Sequence, residues 1–385
     1  MGNLIYLDNA ATTKPYPEAV AKAKEIMTIG WGNPSSEHGF GAQAKCEIEK
    51  SREIISAALG AQPKEIYFTS GGTEADNLAI FGACTAGAGG HIVTTAVEHS
   101  AVAKTVRNLR REHGFEISYI PLKNGGLDLE LLEKSVTDET LLVSVMLVDN
   151  EVGTIFPLAV VSRIIKRKNP KVLLHCDAVQ GFGKIPFAVN ELGVDLLSIS
   201  AHKIHGIQGS GALYVKEGTQ LFARQFGGGQ EKSLRSGTES VPLIAAFGEA
   251  TRITFERMDD SLAQMTSMRD YCIAELRRHF NSVRILTDEA CAPHIVSFTL
   301  PGVDAQETVR QLGAQGICIS NGAACKSNEP PNPNKRGQAL TSYGLTDAQI
   351  RSTLRVSLCA ENTRADIDAL IAALGAATAS FAPFL

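Results

Sequence analysis

Short apolar runs alternate along the first two thirds of the chain with longer segments whose apolar residues recur at helical spacing. Apolar runs of this length, bounded by glycine and polar residues, are typical of buried strands. They predict strands at 4–8, 66–69, 91–96, 116–120, 141–148, 172–176, 194–199 and 211–215. The longer segments predict helices at 17–27, 36–59 (capped by Ser36), 75–82, 100–113, 129–135 and 158–168.

This alternation predicts an α/β fold whose large domain has a mostly parallel sheet flanked by helices. One long helix over 242–280 is predicted to join it to a smaller C-terminal α/β domain, because its apolar residues keep helical spacing throughout. In the smaller domain, apolar segments recur at 283–286, 294–300, 305–312 and 317–319, with a terminal helix at 365–374. The predicted domains are an N-terminal arm at 1–15 contributing to the small domain and active site, a large domain at 16–255, and a small domain at 256–385 with a mobile loop at 321–340.

Composition narrows the class of protein. The chain has 385 residues, of which 44% are hydrophobic and 20% charged, with a formal net charge of −4. That balance gives no electrostatic footprint for nucleic acid or anionic membrane. No run approaches the length of a membrane span, and the N-terminus lacks the basic start of a signal peptide. We therefore expect a cytoplasmic protein with no direct nucleic-acid or membrane partner.

The eight cysteines are scattered, without zinc-ligand spacing, so no metal site is predicted. Cys325 differs from the others because prolines, asparagines and basic residues follow it and favour an exposed loop. Lys326 beside it would favour the reactive thiolate. An incidental surface cysteine is the alternative, and we favour a functional one because exposed free thiols are uncommon.

Polar residues follow two predicted strands. Asp177 and Gln180 come after the strand at 172–176, and Lys203 lies in a turn between the strands at 194–199 and 211–215. A desolvated lysine amine forms Schiff bases, and a buried aspartate is the acidic partner that the pyridine nitrogen of pyridoxal phosphate requires. Alone, the lysine would be a surface residue in a polar turn, but together the two residues favour a pyridoxal-phosphate site.

Further candidates follow other strands. Gly72 and Thr73 stand where a strand meets a helix N-terminus, which suits a phosphate but equally a simple helix cap. His99 can stack on a ring and move protons, although a lone histidine is usually a turn residue. With Asn150, these residues fall at the carboxyl ends of parallel strands, where such sheets bind ligands. The stretches Asn9–Thr13 and Gly32–Ser36 favour turn chemistry alone.

One candidate lies in the predicted small domain. Arg355 is on a strand-like run (TLRVSL) and can bind a substrate carboxylate with its guanidinium fork. A structural ion pair is the alternative.

Taken together, the motifs resemble a cysteine desulfurase of the NifS/IscS type, in the class V aminotransferase branch of fold-type I pyridoxal-phosphate enzymes. The resemblance spans nearly the whole chain and rests on YLDNAATT, GNPSSEH, FTSGGTEADNLAI, VEHSAV, VDNEVGT, HCDAVQGFGK, LLSISAHKIHG, GGGQEKSLRSGTES, SNGAAC and LRVSL. The sequence departs from the family pattern at Asn321, Ala323 and Lys326, around the cysteine, and at Cys359, where glycine is common. These departures leave the sulfur acceptor open.

The resemblance implies a role for each candidate residue. Lys203 would hold pyridoxal 5'-phosphate covalently, His99 would stack on its ring, and Asp177 would pair with the pyridine nitrogen. The remaining implied cofactor contacts are Asn150 and Gln180 to the phenolic oxygen or substrate, and Gly72, Thr73, Ser200 and His202 to the phosphate. Thr238 would reach the phosphate from a partner subunit, which implies a homodimer.

For the reaction, the resemblance implies that Arg355 holds the carboxylate of L-cysteine and that Cys325 takes its sulfur as a persulfide, leaving L-alanine. The sulfur would pass to an acceptor protein, either an iron–sulfur scaffold or a tRNA-thiolation protein. Two alternatives stay open: another class V aminotransferase or lyase, selenocysteine lyase included, and a non-catalytic sulfur-trafficking scaffold.

Overall fold

The structure is a computed structural model that describes residues 4–84, 89–322 and 338–381. Its strands are β1 (Ile5–Tyr6), β2 (Ile66–Thr69), β3 (Gly90–Thr95), β4 (Phe115–Ile120), β5 (Leu122–Lys123), β6 (Gly126–Leu127), β7 (Thr140–Ser144), β8 (Leu173–Asp177), β9 (Leu196–Ser200), β10 (Gly211–Val215), β11 (Arg284–Ile285), β12 (Ile295–Thr299), β13 (Ile317–Cys318), β14 (Ser320–Asn321) and β15 (Thr353–Ser357). Its α-helices are α1 (Pro17–Ile29), α2 (Gly39–Leu59), α3 (Gly72–Cys84), α4 (Ser100–His113), α5 (Leu129–Ser135), α6 (Leu158–Lys168), α7 (Val189–Leu192), α8 (Val241–Glu256), α9 (Met258–His279), α10 (Ala305–Ala314), α11 (Gln338–Ser342), α12 (Asp347–Arg351) and α13 (Arg364–Phe381).

The large sheet has seven strands in the order β2-β10-β9-β8-β7-β3-β4. Strands β9, β8, β7, β3 and β4 pair in parallel, while β10 runs antiparallel to both β2 and β9. The predicted fold class, a mostly parallel sheet flanked by helices with a smaller C-terminal α/β part, is confirmed.

Both faces of the large sheet are covered because successive strand residues point to opposite sides. Leu142 and Leu196 pack with α3 and α4, whereas their neighbours Val143 and Leu197 pack in the cluster that includes residues of α2, α6 and α8. Sheets buried on both faces have near-continuous apolar strands, and this is what made the strands recognisable in the sequence. The parallel arrangement then brings their carboxyl ends to one edge.

The C-terminal part has an antiparallel four-stranded sheet in the order β11-β12-β15-β14. The N-terminal segment joins this part, because β1 pairs in parallel with β13 and Asp8 bridges to Ser357. The predicted domain boundaries stay a prediction. The single helix predicted over 242–280 was wrong: helices α8 and α9 are separate, and Arg257 between them leaves helical geometry with φ −106° and ψ 11°.

Smaller differences concern element ends. Helix α2 begins at Gly39, and its cap is His38, whose Nδ1 accepts the Gly41 N–H, rather than Ser36. Thr73 lies inside α3 rather than capping it, because that helix begins at Gly72. Strand β7 ends at Ser144 instead of continuing to 148, although the chain beyond it still donates hydrogen bonds to β8.

Among the described residues, none of the helices combines the length and apolarity required to cross a membrane.

Candidate active site

The carboxyl edge of the large sheet opens into a cavity of about 470 Å³. Cavities of roughly this size are typical of small-molecule sites. The predicted site residues that line it are Gly72, Thr73, His99, Asn150, Asp177, Gln180, Ser200, His202, Lys203 and Arg355. The structure thus brings together ten of the candidate residues, which come from both the large sheet and the C-terminal sheet.

Lys203 closes a short 3₁₀ turn, Ala201–Lys203, directly after β9. Its Nζ donates hydrogen bonds to the carbonyl oxygens of Ala10, at 2.6 Å, and Ala11, at 2.7 Å. The lysine turn is further joined to the N-terminal segment through Thr13, whose backbone N–H and side-chain hydroxyl both donate to the His202 carbonyl. The interpretation of Asn9–Thr13 as turn chemistry alone was therefore wrong, because this segment forms a wall of the cavity.

Asp177 ends β8, is buried and lines the cavity. Burial raises the pKa of its carboxyl to about 6, and the neighbouring Asp76 carboxylate adds to the rise. The rise is opposed by His99, by the Val179 N–H that donates to Asp177 Oδ1 at 3.0 Å, and by His175. A carboxylate that is buried beside another carboxylate is stabilised in its charged form when a cation binds next to it.

Gln180 joins the two parts of the fold at the cavity. Its Nε2 donates to the Ala10 carbonyl at 2.9 Å, and its Oε1 lies 3.2 Å from Nε2 of the fully buried His294, which precedes β12. Burial lowers the pKa of His294 well below its usual value, so this imidazole is neutral. A neutral imidazole donates from one nitrogen, and Gln180 Oε1 is an acceptor for it.

His99 is the N-cap of α4, and its Nδ1 accepts the Ala101 N–H at 3.2 Å. In the neutral ring, Nδ1 is then the acceptor and the proton is on Nε2. One ring nitrogen of His99 lies within 4.8 Å of a carboxylate oxygen of both Asp76 and Asp177. The helix cap therefore fixes the imidazole at the cavity wall beside two acids.

The N-terminus of α3 forms a cradle for an anion at the cavity rim. A side chain at Gly72 would come within 2.7 Å of Val179 Cγ2, so the backbone here is open only because glycine is present. Ser200 Oγ is buried near the cradle and has no hydrogen-bond partner among the described residues. The first N–H groups of a helix have no intrahelical acceptor, and together with the unpaired Ser200 hydroxyl they fit a phosphate.

His202 lies next to this cradle, and its Nδ1 is 3.1 Å from Thr12 Oγ1. Burial, with help from Lys203, lowers the pKa of His202 to about 4, so the ring is neutral at physiological pH. It can contribute a hydrogen bond to an anion but no charge.

The glycine-rich segment 226–239, which carries Thr238, contacts the rim of the same cavity. Arg235 forms an ion pair with Glu74 of α3 at 2.7 Å, and Glu74 also accepts the Ser70 N–H. Thr238 itself is exposed and does not line the cavity of its own chain.

Arg355 reaches the cavity from β15. Its guanidinium donates to Asp8 Oδ1 at 3.0 Å and to the Asn150 carbonyl at 2.7 Å, while its Nε has no hydrogen-bond partner in the described part of the chain. The structure therefore contains the ion pair that the sequence left as the alternative. It also leaves a buried donor of the same side chain unused.

Cys325 lies outside the described residues, as does most of the predicted mobile loop. Its role stays a prediction.

Sequence reasoning missed several residues of the cavity. Ala10 and Ala11 act through carbonyl groups, which no side-chain pattern reveals, and Gln208 lies between the lysine turn and the next strand, where no pattern marks it. Asp76 lies in α3 between alanine and asparagine, where it reads as an ordinary polar helix residue. Its only signal in the sequence was an acidic residue in a helix whose second half is apolar.

The comparisons with known proteins agree with this geometry. The model of the class-V aminotransferase family matches residues 5–370. A cysteine desulfurase IscS of Clostridium botulinum is 37% identical over 97% of this chain and 94% of its own length. Among solved structures, a NifS-like protein superposes with a TM-score of 0.90 at 34% identity, covering 100% of both chains. A further structure, of SspA in complex with cysteine, has a TM-score of 0.80 at 30% identity and covers 93% of this chain and 99% of its own.

These matches show that the chain has the class-V aminotransferase fold. Within that class, the chain belongs to the cysteine desulfurase family, and the resemblance stated from the sequence motifs is confirmed. Enzymes of this family depend on pyridoxal phosphate.

Proposed function

We propose that this protein removes sulfur from L-cysteine with the help of pyridoxal 5'-phosphate, yielding L-alanine and a persulfide on Cys325. The observation that carries the proposal is that Lys203 and Asp177 share one cavity with an anion cradle, in a chain whose relatives are named cysteine desulfurases. The alternative of a non-catalytic sulfur-trafficking scaffold does not require such a cavity.

The residues present fit the cofactor. The unpaired Ser200 hydroxyl and the open backbone at Gly72 suit its phosphate, with Thr73 and His202 beside them. Asp177 would hold the pyridine nitrogen and Lys203 the aldehyde carbon, and Asn150 and Gln180, which line the same cavity, would serve the phenolic oxygen or the substrate. When bound, the cofactor withdraws electrons from the α-carbon of an amino acid joined to it.

The protein's own groups then handle protons and charge. The Lys203 amine takes the α-proton of the substrate and returns a proton, since it lines the same cavity as the anion cradle and Asp177. His99, with Nδ1 occupied by the Ala101 N–H, offers Nε2 as a second proton-transfer group. Asp177 stabilises positive charge in the cavity, and Arg355 binds the substrate carboxylate.

Sulfur transfer follows from the chemistry of thiols. The Cys325 thiolate attacks the substrate Sγ, so that an S–S bond forms and the Cβ–Sγ bond breaks. The electron pair of the broken bond stays with the carbon, which takes up a proton and leaves in alanine. No external oxidant is required, because the substrate carbon is reduced while the sulfur is oxidised.

The first test is a single turnover with L-cysteine and no reductant. We expect wild type to release alanine and to gain the mass of one sulfur atom, and Cys325→Ala to lose both. Cys46→Ala is the matched control, because Cys46 is an exposed free cysteine on α2, away from the cavity. Equal alanine release by Cys325→Ala, or none from wild type, would move the activity to another pyridoxal-phosphate reaction.

We propose in addition that the protein is a homodimer in which Thr238 completes the partner's phosphate site. The support is that Thr238 is exposed and outside its own cavity, while Arg235 three residues earlier is fixed to the cavity rim through Glu74. Exposed Phe226 on the same segment, 84% accessible, offers an apolar contact for a second copy.

A mixed-dimer experiment tests this arrangement. At limiting cofactor, Lys203→Ala and Thr238→Ala homodimers are each expected to be poorly active. A dimer of one chain of each kind regains one intact site, because the intact Lys203 and the intact Thr238 meet there. No recovery above the sum of the two homodimers would place Thr238 with its own chain's cavity.

We further propose that the persulfide sulfur passes to an acceptor protein, an iron–sulfur scaffold or a tRNA-thiolation protein, in the cytoplasm. Transfer of labelled sulfur from the loaded enzyme to each purified acceptor distinguishes the two.

A further inference from the structure

We propose that Asp76 is a second acidic residue of the cofactor site, held in place by His175 and directed at the charge that Asp177 also binds. This inference rests on the proposed cofactor but not on the desulfuration step. The proposal assigns a second carboxylate, besides that of Asp177, to the cofactor site. The position of Asp76 inside a helix had not indicated this role.

The position of His175 follows from the sheet. His175 and Asp177 are two residues apart on β8, so both side chains point to the face covered by α3, which carries Asp76. The His175 ring is fully buried and bridges the neighbouring strands: Nδ1 lies 2.9 Å from Ser144 Oγ on β7 and Nε2 lies 3.0 Å from Ser198 Oγ on β9. The imidazole is therefore fixed in position and orientation.

The Asp76 side chain, on α3, lies beside the His175 ring. Its Oδ1 lies 3.5 Å from His175 Nε2 and has no hydrogen-bond partner among the described residues, although the side chain is only 1% exposed. A buried carboxylate oxygen without a hydrogen bond is unfavourable unless something else compensates its charge. Since Asp76 also lines the cavity, a bound ligand can provide that compensation.

Asp76, Asp177 and His99 lie close enough together to contact one bound group. A carboxylate oxygen of Asp76, one of Asp177 and a ring nitrogen of His99 lie within 4.8 Å of one another. The two carboxylates repel each other in the protein without cofactor, and a protonated pyridine nitrogen is a cation that both would attract. Asp76 is then expected to destabilise the protein without cofactor and to strengthen cofactor binding, which are opposite effects of one side chain.

These opposite signs give a test that a merely structural residue cannot pass. Asp76→Asn keeps the shape and removes the charge. Above the pKa of about 6 of Asp177, we expect the melting temperature of the cofactor-free variant to rise by roughly 2 °C. We also expect its dissociation constant for pyridoxal 5'-phosphate, measured by absorbance titration, to increase about tenfold, the equivalent of one pKa unit of lost interaction.

His91 provides a matched control for His175. It is a second buried histidine between two hydroxyls of neighbouring strands, Thr140 Oγ1 and Ser118 Oγ, each at 2.9 Å, but it lies at the start of β3, beside the edge strand β4, and does not line the cavity. We expect His175→Gln and His91→Gln to lower the melting temperature of the cofactor-free protein alike. Only His175→Gln is expected to weaken cofactor binding.

Three results would overturn the proposal. One is unchanged cofactor affinity in Asp76→Asn, and another is a fall in both its affinity and its cofactor-free stability. The third is stabilisation of the cofactor-free wild type by Zn²⁺ that Asp76→Asn abolishes, which would assign the cluster to a metal ion. A wild type that binds pyridoxal phosphate but releases no alanine would sink desulfuration alone and leave this inference intact.

Discussion

Replacing Lys203 with alanine is expected to abolish covalent capture of the cofactor and to lower alanine formation by about 10²–10⁴-fold, the range for loss of a general acid–base group. The structure gives the reason. Lys203 Nζ is directed into the cavity by the Ala10 and Ala11 carbonyls, and it is the cavity's lysine. Visible absorbance of the purified protein and alanine release from L-cysteine are the two measurements.

Lys203→Arg is the informative comparison, because it keeps a cation that can donate to the same two carbonyls. We expect this variant to match the stability of wild type without cofactor while failing to bind the cofactor covalently. This variant therefore separates the effect of Lys203 on the stability of the protein from its covalent reaction with the cofactor.

Reduction of the wild-type complex with borohydride, followed by peptide mapping, identifies the attached lysine directly. Lys184 is the competitor to consider, because burial lowers its pKa to about 8 and a neutral amine is the reactive form. Attachment at Lys184, or at any lysine other than Lys203, would contradict the assignment.

Much of the site could be predicted from the sequence because of where parallel strands end. A doubly covered sheet makes its strands apolar throughout, so the polar residue after each strand stands out, as Asp177 does after β8. The topology then gathers these residues without any further information. This is why Thr73, His99, Asn150, Asp177 and Lys203 were found together from pattern alone.

The rest depended on contacts that the pattern does not encode. The Ala10 and Ala11 carbonyls meet Lys203 across more than 190 positions of chain, and backbone acceptors leave no trace in residue type. Asp76 was missed because its neighbour His175 lies on a strand almost 100 positions further along the chain, and the sequence does not show that the two side chains approach each other. The break between α8 and α9 was missed because apolar spacing continues across Arg257, even though Asp259 and Asp260 mark a helix start.

The small part of the fold contributes one side chain whose removal is expected to act on substrate affinity. Replacing Arg355 with alanine should raise the KM for L-cysteine at least about 30-fold, since losing one partner of a buried charge pair costs about 2–5 kcal/mol. Arg355 is a buried cation that a substrate carboxylate can reach in the cavity. Its Nε has no hydrogen-bond partner among the described residues, and its terminal nitrogens donate to Asp8 and to the Asn150 carbonyl. Cysteamine, which lacks the carboxylate, should be bound equally by wild type and variant in a competition assay.

Asp8→Asn separates substrate binding from the ion pair. In the structure the Asp8 carboxylate accepts a hydrogen bond from one terminal nitrogen of Arg355. Burial raises the pKa of the Asp8 carboxyl, and the opposing effect of Arg355 is smaller. If Arg355 binds the substrate, removing this competing charge should lower the KM for L-cysteine several-fold while kcat stays within about twofold. If the arginine serves only the ion pair, Asp8→Asn and Arg355→Ala should both reduce stability and leave KM unchanged. The direction of the KM change in Asp8→Asn therefore decides between the two functions of Arg355.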